Sequence, residues 1–107
     1  MSQERKVAMV TGGSRGIGRA VCLALAREHQ VVVFNHYDPD EVEADRTLEL
    51  LAEAGVEAEA RKFDVADPAQ TAEFMDHAVQ AYGRVDILVN NAGITRDALI
   101  MRMSPEQ

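Results

Sequence analysis

Residues 7–18 read Val-Ala-Met-Val-Thr-Gly-Gly-Ser-Arg-Gly-Ile-Gly, and this stretch decides the fold. The apolar run at 7–10 is typical of a central strand that is covered on both faces. After the glycines, apolar residues recur at helical spacing, at Ile17, Ala20, Val21, Ala24 and Leu25. A glycine-rich turn between a strand and a helix lets the backbone approach an anion, which the free N–H groups of the helix start bind. The stretch therefore predicts a phosphate-binding turn, and a plain flexible turn is the alternative interpretation.

Strand and helix patterns alternate along the rest of the chain. Apolar runs at 31–34 and 85–89 predict two further buried strands. Alternating charged and small residues at 57–63 predict a weaker strand at an edge of the sheet. Strands that alternate with helices at this spacing form right-handed βαβ units and a parallel sheet. We therefore predict an α/β fold, a Rossmann-type doubly wound parallel sheet with strand order 3-2-1-4.

Two short segments predict where helices begin. Asp38-Pro39-Asp40-Glu41 has the order of a helix cap, a first-turn proline and a capping-box acid, and Asp67-Pro68-Ala69-Gln70 has a similar order. The residues expected to form the buried stripes of the two helices are Ala44, Leu48 and Leu51, and then Ala72, Met75, Val79 and Tyr82.

The end of the sequence carries a further expectation. Ser104-Pro105-Glu106-Gln107 has the pattern of another helix start, and the fourth strand would be left as an exposed apolar edge. We therefore expect a longer protein that is truncated after the fourth strand. Residues 1–107 would then be the N-terminal part of a single Rossmann domain.

Composition narrows the function. Of the 107 residues, 47% are hydrophobic and 27% are charged, which is ordinary for a folded α/β domain. The net charge of −7 argues against nucleic acid and anionic membranes as partners, because phosphate attraction needs a basic face. No apolar run approaches the roughly 20 residues of a membrane span, and no signal-peptide pattern follows the first residues, so we expect a cytoplasmic protein.

Cysteine and histidine give no sign of a metal site. The lone Cys22 falls inside the apolar pattern of the first helix, where we interpret it as a small buried hydrophobe. His29, His36 and His77 are scattered and lack metal-ligand spacing, so we interpret them as surface or loop residues and expect no bound metal.

The glycine spacing carries a resemblance to a known family. Thr11 to Gly18, with glycines at 12, 16 and 18, resembles the cofactor motif of the short-chain dehydrogenase/reductase family. Asn90-Asn91-Ala92-Gly93 resembles the family's second signature and Asp64-Val65 its adenine-side pair, each at the expected place along the chain. Residues 90–103 are similar to the bacterial 3-oxoacyl-[acyl-carrier-protein] reductases and the acetoacetyl-CoA reductases, which share this stretch, so it does not choose between them.

The resemblance implies a set of cofactor-binding residues. Backbone around Gly12, Ser14 and Ile17 would contact the diphosphate and ribose. Asp64 and Val65 would border the adenine. Asn90 is interpreted as structural, a short polar side chain that bridges strand ends. The full set is Gly12, Ser14, Arg15, Gly16, Ile17, Gly18, His36, Tyr37, Asp64, Val65, Asn91, Ala92 and Gly93.

The choice of cofactor depends on charge after the second strand. An acid there would bind the ribose 2′-OH of NAD, whereas a neutral residue with a nearby arginine accepts the 2′-phosphate of NADP. His36 and Tyr37 stand at this position and Arg15 lies within the glycine motif, so we favour NADPH over NADH. Asp38 would favour NADH if the loop shifted by two residues, but we interpret it as the cap of the second helix.

The family's catalytic serine, tyrosine and lysine are missing from this sequence. Tyr37 is followed at the Tyr-x-x-x-Lys spacing by Glu41, and Tyr82 by Asp86, so we expect these 107 residues to be catalytically inert. The resemblance implies that the complete protein reduces a 3-oxoacyl thioester on acyl carrier protein or CoA, with NADPH, as a homotetramer. The alternatives are a non-catalytic dinucleotide-binding or regulatory module and a flavodoxin-like signalling domain, which leaves the glycine motif unexplained.

Overall fold

Within residues 5–91, four parallel strands alternate with three helices, and an antiparallel strand follows at residues 99–102. The computed structural model describes residues 5–91 and the backbone of residues 99–102. In chain order the elements are β1 (Val7–Thr11), α1 (Gly16–Leu25), β2 (Val31–His36), α2 (Val42–Glu53), β3 (Glu57–Lys62), α3 (Pro68–Tyr82), β4 (Ile87–Asn90) and β5 (Leu99–Arg102). No helix in the described part of the chain has the length and apolar character needed to span a bilayer.

The sheet has the predicted Rossmann-like order. Its strands lie in the order β3-β2-β1-β4-β5, and the first four are parallel. β1 is central, with Val7 paired to Val31 of β2 and Ala8 paired to Ile87 of β4. The carboxyl ends of β1, β2, β3 and β4 therefore meet at one edge of the sheet, which is where open α/β sheets bind ligands.

The expectation that the sheet stops at the fourth strand was wrong. β5 pairs antiparallel with β4, with Leu88 opposite Met101 and Asn90 opposite Leu99, so β4 is not an exposed edge. The short run Leu-Ile-Met-Arg has no clear period, and a run of this kind does not distinguish strand from helix. Its strand conformation depends on the free backbone groups of β4, a tertiary cause that the local sequence does not carry.

Apolar side chains pack against both faces of the sheet. β1 is buried along its whole length, and so is β2, because helices cover the two faces. One core contains Cys22 of α1 and Ala44 and Leu51 of α2, packed on Val10 and Phe34. The other contains Phe74 and Ala78 of α3, with residues of β1 and β2 and Phe63, whose ring meets that of Phe74 edge to face at 5.3 Å between centroids.

Two of the predicted helix stripes were partly wrong, because Val21, Leu25, Met75 and Tyr82 pack against the core as expected and other members do not. Ile17 is 71% exposed at the first turn of α1, whereas Gly18 and Cys22 are the buried residues of that helix. Val79 is 46% exposed in α3, where Phe74 and Ala78 are buried instead. Apolar residues occur on more than one side of each helix, so the spacing alone did not identify the side that meets the sheet.

One predicted helix cap is confirmed and the other was wrong. Asp67 caps α3, since its carboxylate accepts the N–H groups of Ala69 and Gln70, and Gly83 ends that helix with a φ of 85°. These hydrogen bonds, first among them those from Gln70, lower the pKa of Asp67. Asp38 does not cap α2, which begins at Val42 after Glu41 without a side-chain cap. The carboxylate of Asp38 faces other partners, described below.

Asp86 fastens the start of β4 to the start of β1. Its carboxylate accepts the N–H of Val7 at 2.8 Å and pairs with the guanidinium of Arg84, while its own N–H donates to the carbonyl of Val7 at 2.8 Å. Burial alone would raise the pKa of Asp86, but the hydrogen bonds from Arg84 and Val7 outweigh burial and hold the pKa below its ordinary value.

Replacing Asp86 by Asn is expected to lower the free energy of unfolding by about 1–2 kcal/mol at pH 7, because two charge-assisted hydrogen bonds are weakened. The lowered folded-state pKa makes this contribution complete above the unfolded pKa of about 3.9 and lost as pH falls through the folded value. Urea unfolding between pH 7 and pH 3 should show the two stabilities converging in acid. Asp76→Asn, a change on the exposed side of α3, is the control, and a gap of constant size would contradict this account.

Candidate functional site

The glycine turn lies at the carboxyl edge of the sheet between β1 and α1. Gly16 has a φ of +61°, a conformation that residues with a Cβ rarely adopt. Gly18 is buried against the turn, and a Cβ there would stand 1.7 Å from the carbonyl oxygen of Gly12. The first turn of α1 therefore packs directly on the backbone that leaves β1.

Hydrogen bonds within the molecule divide the amides of this turn into two groups. The N–H of Gly12 donates to Oδ1 of Asn35 at 2.9 Å, and the N–H of Gly13 donates to the carbonyl of Asn35 at 2.9 Å. Within residues 5–91 we find no acceptor for the N–H groups of residues 14–18. These five amides stand at the start of a ten-residue helix, where the helix dipole adds positive potential.

This arrangement fits an anionic diphosphate. The absence of a side chain at residue 18 lets the start of α1 pack on the carbonyl of Gly12, and the amides of residues 14–18, for which residues 5–91 supply no acceptor, are those that would meet the anion. The expected contact from Gly12 is not available through its N–H, because Asn35 accepts it. The N–H groups of residues 14–18, by contrast, have no acceptor within residues 5–91 and stay available for such a contact.

Asn35 is a functional residue that the sequence analysis missed. It is buried near the end of β2, where its Oδ1 holds Gly12 and its Nδ2 donates to the carbonyl of Phe63 at 2.8 Å. One side chain thus joins the glycine turn to the segment after β3. In the sequence, Asn35 can be recognised as an amide side chain directly after the apolar run Val-Val-Val-Phe. An amide that is buried there must find hydrogen-bond partners.

The asparagine pair after β4 supports the same turn. Thr11 donates its hydroxyl to Oδ1 of Asn90 at 3.0 Å, which confirms the structural role expected for Asn90. Asn91 donates from Nδ2 to the carbonyl of Gly12 at 3.3 Å, so its side chain contacts the turn. Ala92 and Gly93, also expected in the site, lie outside the described residues.

A cleft of about 200 Å³ opens beside the turn, between the ends of β1, β2 and β3. Its lining includes five of the expected cofactor-binding residues together with Asn35 and Phe63: Gly12, Asn35, His36, Tyr37, Phe63, Asp64 and Val65. Drug-sized ligands occupy pockets of about 300–1,000 Å³, so this volume suits one ring system of a larger ligand. Asp64 accepts the N–H of Ala66 on Oδ1 at 2.9 Å, which fixes the loop that forms one wall.

Asp38 lies beside Arg15 and His36 rather than at a helix start. Its Oδ1 is 3.6 Å from Nε of Arg15, and its Oδ2 is 3.7 Å from Nδ1 of His36. The side chain of Asp38 is 12% exposed, whereas that of Arg15 is 66% exposed. Within the described residues, Oδ2 of Asp38 is a buried oxygen without a hydrogen-bond partner.

Two histidines do not lie where the sequence analysis put them. His36 is buried rather than on the surface, and its Nε2 is 3.1 Å from Oε1 of Glu41. His77 is half-buried, with Nε2 at 2.7 Å from Oε1 of Glu59. His36 lies beside the nearby acids Asp38 and Glu41, whereas His77 meets Glu59 of β3, so neither is the unpartnered surface residue that the sequence analysis expected.

Cys22 and Tyr82 both have raised pKa values. Cys22 is buried as expected, and burial raises the pKa of its thiol to about 12, which leaves it protonated and inert. Burial, followed by the charge of Glu59, raises the pKa of Tyr82 to about 12. A tyrosine in that state is not prepared to act as a base near neutral pH.

A larger cavity, of about 390 Å³, lies at the opposite edge of the sheet. Lys6, Glu28, His29 and Asp86 are among its lining residues. The amino ends of parallel strands rarely form ligand sites, and the unpaired amides lie at the other edge. We therefore assign the functional site to the turn and the smaller cleft.

Comparisons with known proteins agree with this site. The family profile for short chain dehydrogenase matches residues 6–107. The chain is 43% identical over 102 residues to 3-oxoacyl-[acyl-carrier-protein] reductase of Staphylococcus epidermidis, covering 95% of this chain and 41% of that protein. It is 44% identical over 89 residues to L-rhamnose 1-dehydrogenase (NADP(+)) of Thermoplasma acidophilum, covering 83% of this chain and 35% of that protein.

A solved structure gives the same result. A short-chain dehydrogenase/reductase from Serratia marcescens superposes with a TM-score of 0.77 at 42% identity, covering 83% of this chain and 36% of that one. The match to the Staphylococcus epidermidis reductase covers nearly all of this chain. The chain spans about two fifths of the length of such curated relatives. The profile match extends from before β1 through all the motifs of the site, and the chain belongs to the short-chain dehydrogenase family.

Proposed function

We propose that this chain is the N-terminal, cofactor-binding part of a single dinucleotide-binding domain in an enzyme that reduces a 3-oxoacyl thioester with NADPH. The observation that carries the proposal is the row of unpaired amides at residues 14–18, placed at the carboxyl edge of the sheet. The identity to a 3-oxoacyl-[acyl-carrier-protein] reductase over 95% of the chain supports the substrate class.

Each part of the site has a role in binding. The amides of residues 14–18 would hold the diphosphate, and the cleft bordered by Asp64 and Val65 would take the adenine. Asn35, Asn90 and Asn91 would keep the turn in place, since their amides bond to it or to its neighbouring strand. We extend this role to Ala92 and Gly93 on sequence alone.

The bound nicotinamide would supply a hydride to the ketone carbon of the substrate. The residues described here would orient the cofactor. The groups that handle the proton would come from the catalytic part of the enzyme, for which this chain has no candidate residue. We further propose that the complete enzyme is a cytoplasmic homotetramer acting on an acyl carrier protein or CoA thioester.

The proposed reaction is tested by mixing the complete enzyme with NADPH and acetoacetyl-CoA and following the absorbance of NADPH. We expect the absorbance to fall as the 3-hydroxyacyl thioester forms. L-rhamnose with NADP⁺ is the matched control substrate, because a sugar dehydrogenase is equally similar to this chain. Faster turnover of the sugar would contradict the thioester proposal. NADPH binding without turnover of either substrate would favour the alternative of a non-catalytic dinucleotide-binding module.

The preference for NADPH rests on the charges around the end of β2. The last residue of β2 is His36, so no carboxylate stands at the strand end itself. Arg15 is largely exposed and can meet a 2′-phosphate. Lys62 adds a second cation near the same loop, with Nζ at 3.1 Å from the carbonyl of Pro39. Asp38 is the opposing charge, and it engages Arg15 at 3.6 Å.

Replacing Arg15 by Leu is expected to weaken NADPH binding about tenfold, because a charge-assisted contact to the 2′-phosphate is lost. NADH affinity should change much less, since NADH has no 2′-phosphate. The affinities of both variants for NADPH and NADH are measured by calorimetric titration. Arg27→Leu, an exposed arginine beyond the far end of α1, is the control, and an equal loss for both cofactors would argue against this role of Arg15.

Replacing Asp38 by Asn is expected to tighten NADPH binding several-fold, because the change removes a repulsive charge and frees Arg15. NADH binding should stay the same or weaken. Asp40→Asn, two residues away and exposed, controls for a general change in charge. Tighter NADH than NADPH binding by the unmodified protein would overturn the cofactor assignment.

A further inference from the structure

A polar cluster joins the glycine turn to the two helices on one face of the sheet. Thr47, on α2 and fully buried, donates its hydroxyl to the carbonyl oxygen of Ser14 at 2.8 Å. Arg19, on α1, donates from Nη2 to the same oxygen at 2.7 Å and from Nε to the hydroxyl of Thr47 at 2.9 Å. The motifs that suggested the cofactor site include neither Arg19 nor Thr47.

Glu43 holds the arginine in place. Nη2 of Arg19 is 3.0 Å from the carbonyl oxygen of Glu43 and 2.8 Å from its Oε1. The guanidinium is therefore held by a charge partner as well as by backbone oxygens. Because the guanidinium of Arg19 is planar and rigid, it fixes the direction from which Nη2 donates to the carbonyl oxygen of Ser14.

The two donors fix the plane of one peptide bond. In a trans peptide the carbonyl of Ser14 and the N–H of Arg15 point in opposite directions. The carbonyl of Ser14 accepts hydrogen bonds from Thr47 on α2 and from Arg19, whose guanidinium lies against α2, so the carbonyl points toward α2. The N–H of Arg15 therefore points away from α2. That N–H belongs to the row of amides for which no acceptor is found within residues 5–91.

We propose that Arg19 and Thr47 are positioning residues that aim the Arg15 N–H at the cofactor's diphosphate by clamping the carbonyl of Ser14. We call these two side chains and that carbonyl the Ser14 clamp. The proposal rests on the proposed function, since it assumes that the turn binds a diphosphate. The clamp would hold the peptide in its binding orientation before the ligand arrives, so that binding would cost less conformational entropy.

Thr47→Val tests the clamp, because valine keeps the shape of threonine and removes its hydroxyl. ADP and adenosine are the probes, titrated separately by calorimetry against the complete protein, since ADP carries the diphosphate and adenosine does not. ADP affinity should fall about fivefold, the effect of losing one hydrogen bond. Adenosine affinity should stay within about twofold. Thr47→Ser, which restores the hydroxyl, should recover ADP affinity.

Several outcomes would contradict the clamp. Equal ADP affinity in the wild type and Thr47→Val would overturn it, and so would a proportional loss for ADP and adenosine, which indicates general destabilisation. If Thr47→Val does not fold, Arg19→Lys decides in the same way, because lysine keeps the charge without the planar fork. A wild type that binds neither ADP nor NADPH would refute the proposed function itself, and the clamp with it.

Discussion

The contact between Gly18 and the carbonyl of Gly12 constrains the rest of the site. A Cβ at residue 18 would stand 1.7 Å from that oxygen, so the helix can begin against the strand end only because no side chain is present. This close approach sets the first turn of α1 beside β1, and it leaves the amides of residues 14–18 at a helix start without an acceptor within residues 5–91. The anion binding that we propose for this turn would therefore be a consequence of the packing between α1 and β1.

Polar side chains, of which Asn35 and Thr47 are buried, hold the turn from three sides. Asn35 on β2 takes the N–H of Gly12, Asn91 after β4 donates to its carbonyl, and Thr47 on α2 donates to the carbonyl of Ser14. Each of these groups would be costly to bury without a partner, and the turn supplies the partner. The strands bring them together because parallel βαβ units place their carboxyl ends at one edge.

Much of this fold follows from local sequence. The apolar runs of β1 and β2 predicted buried central strands, the charged third strand predicted an edge, and Asp67 predicted the start of α3. The glycine spacing predicted the turn, because glycines between a strand and a helix have few other uses. In each case the cause lies within a few residues of the effect.

Other features depend on contacts between distant segments, and local patterns did not give them. Asp38 has the sequence of a helix cap, but Arg15 and His36 lie beside it and α2 starts later. β5 depends on the free edge of β4. Asn35 follows an apolar run and Thr47 stands in a mostly polar helix segment, and the hydrogen-bond partners of both became visible only in the assembled structure.

We propose that the amides of the β1–α1 turn receive the cofactor's diphosphate. A two-dimensional amide NMR titration of the isotope-labelled protein with NADPH tests this residue by residue. We expect the largest shifts at residues 14–18, with smaller ones at Asp64 and Val65. Largest shifts at Lys6, His29 and Asp86, around the cavity of the opposite edge, would contradict it.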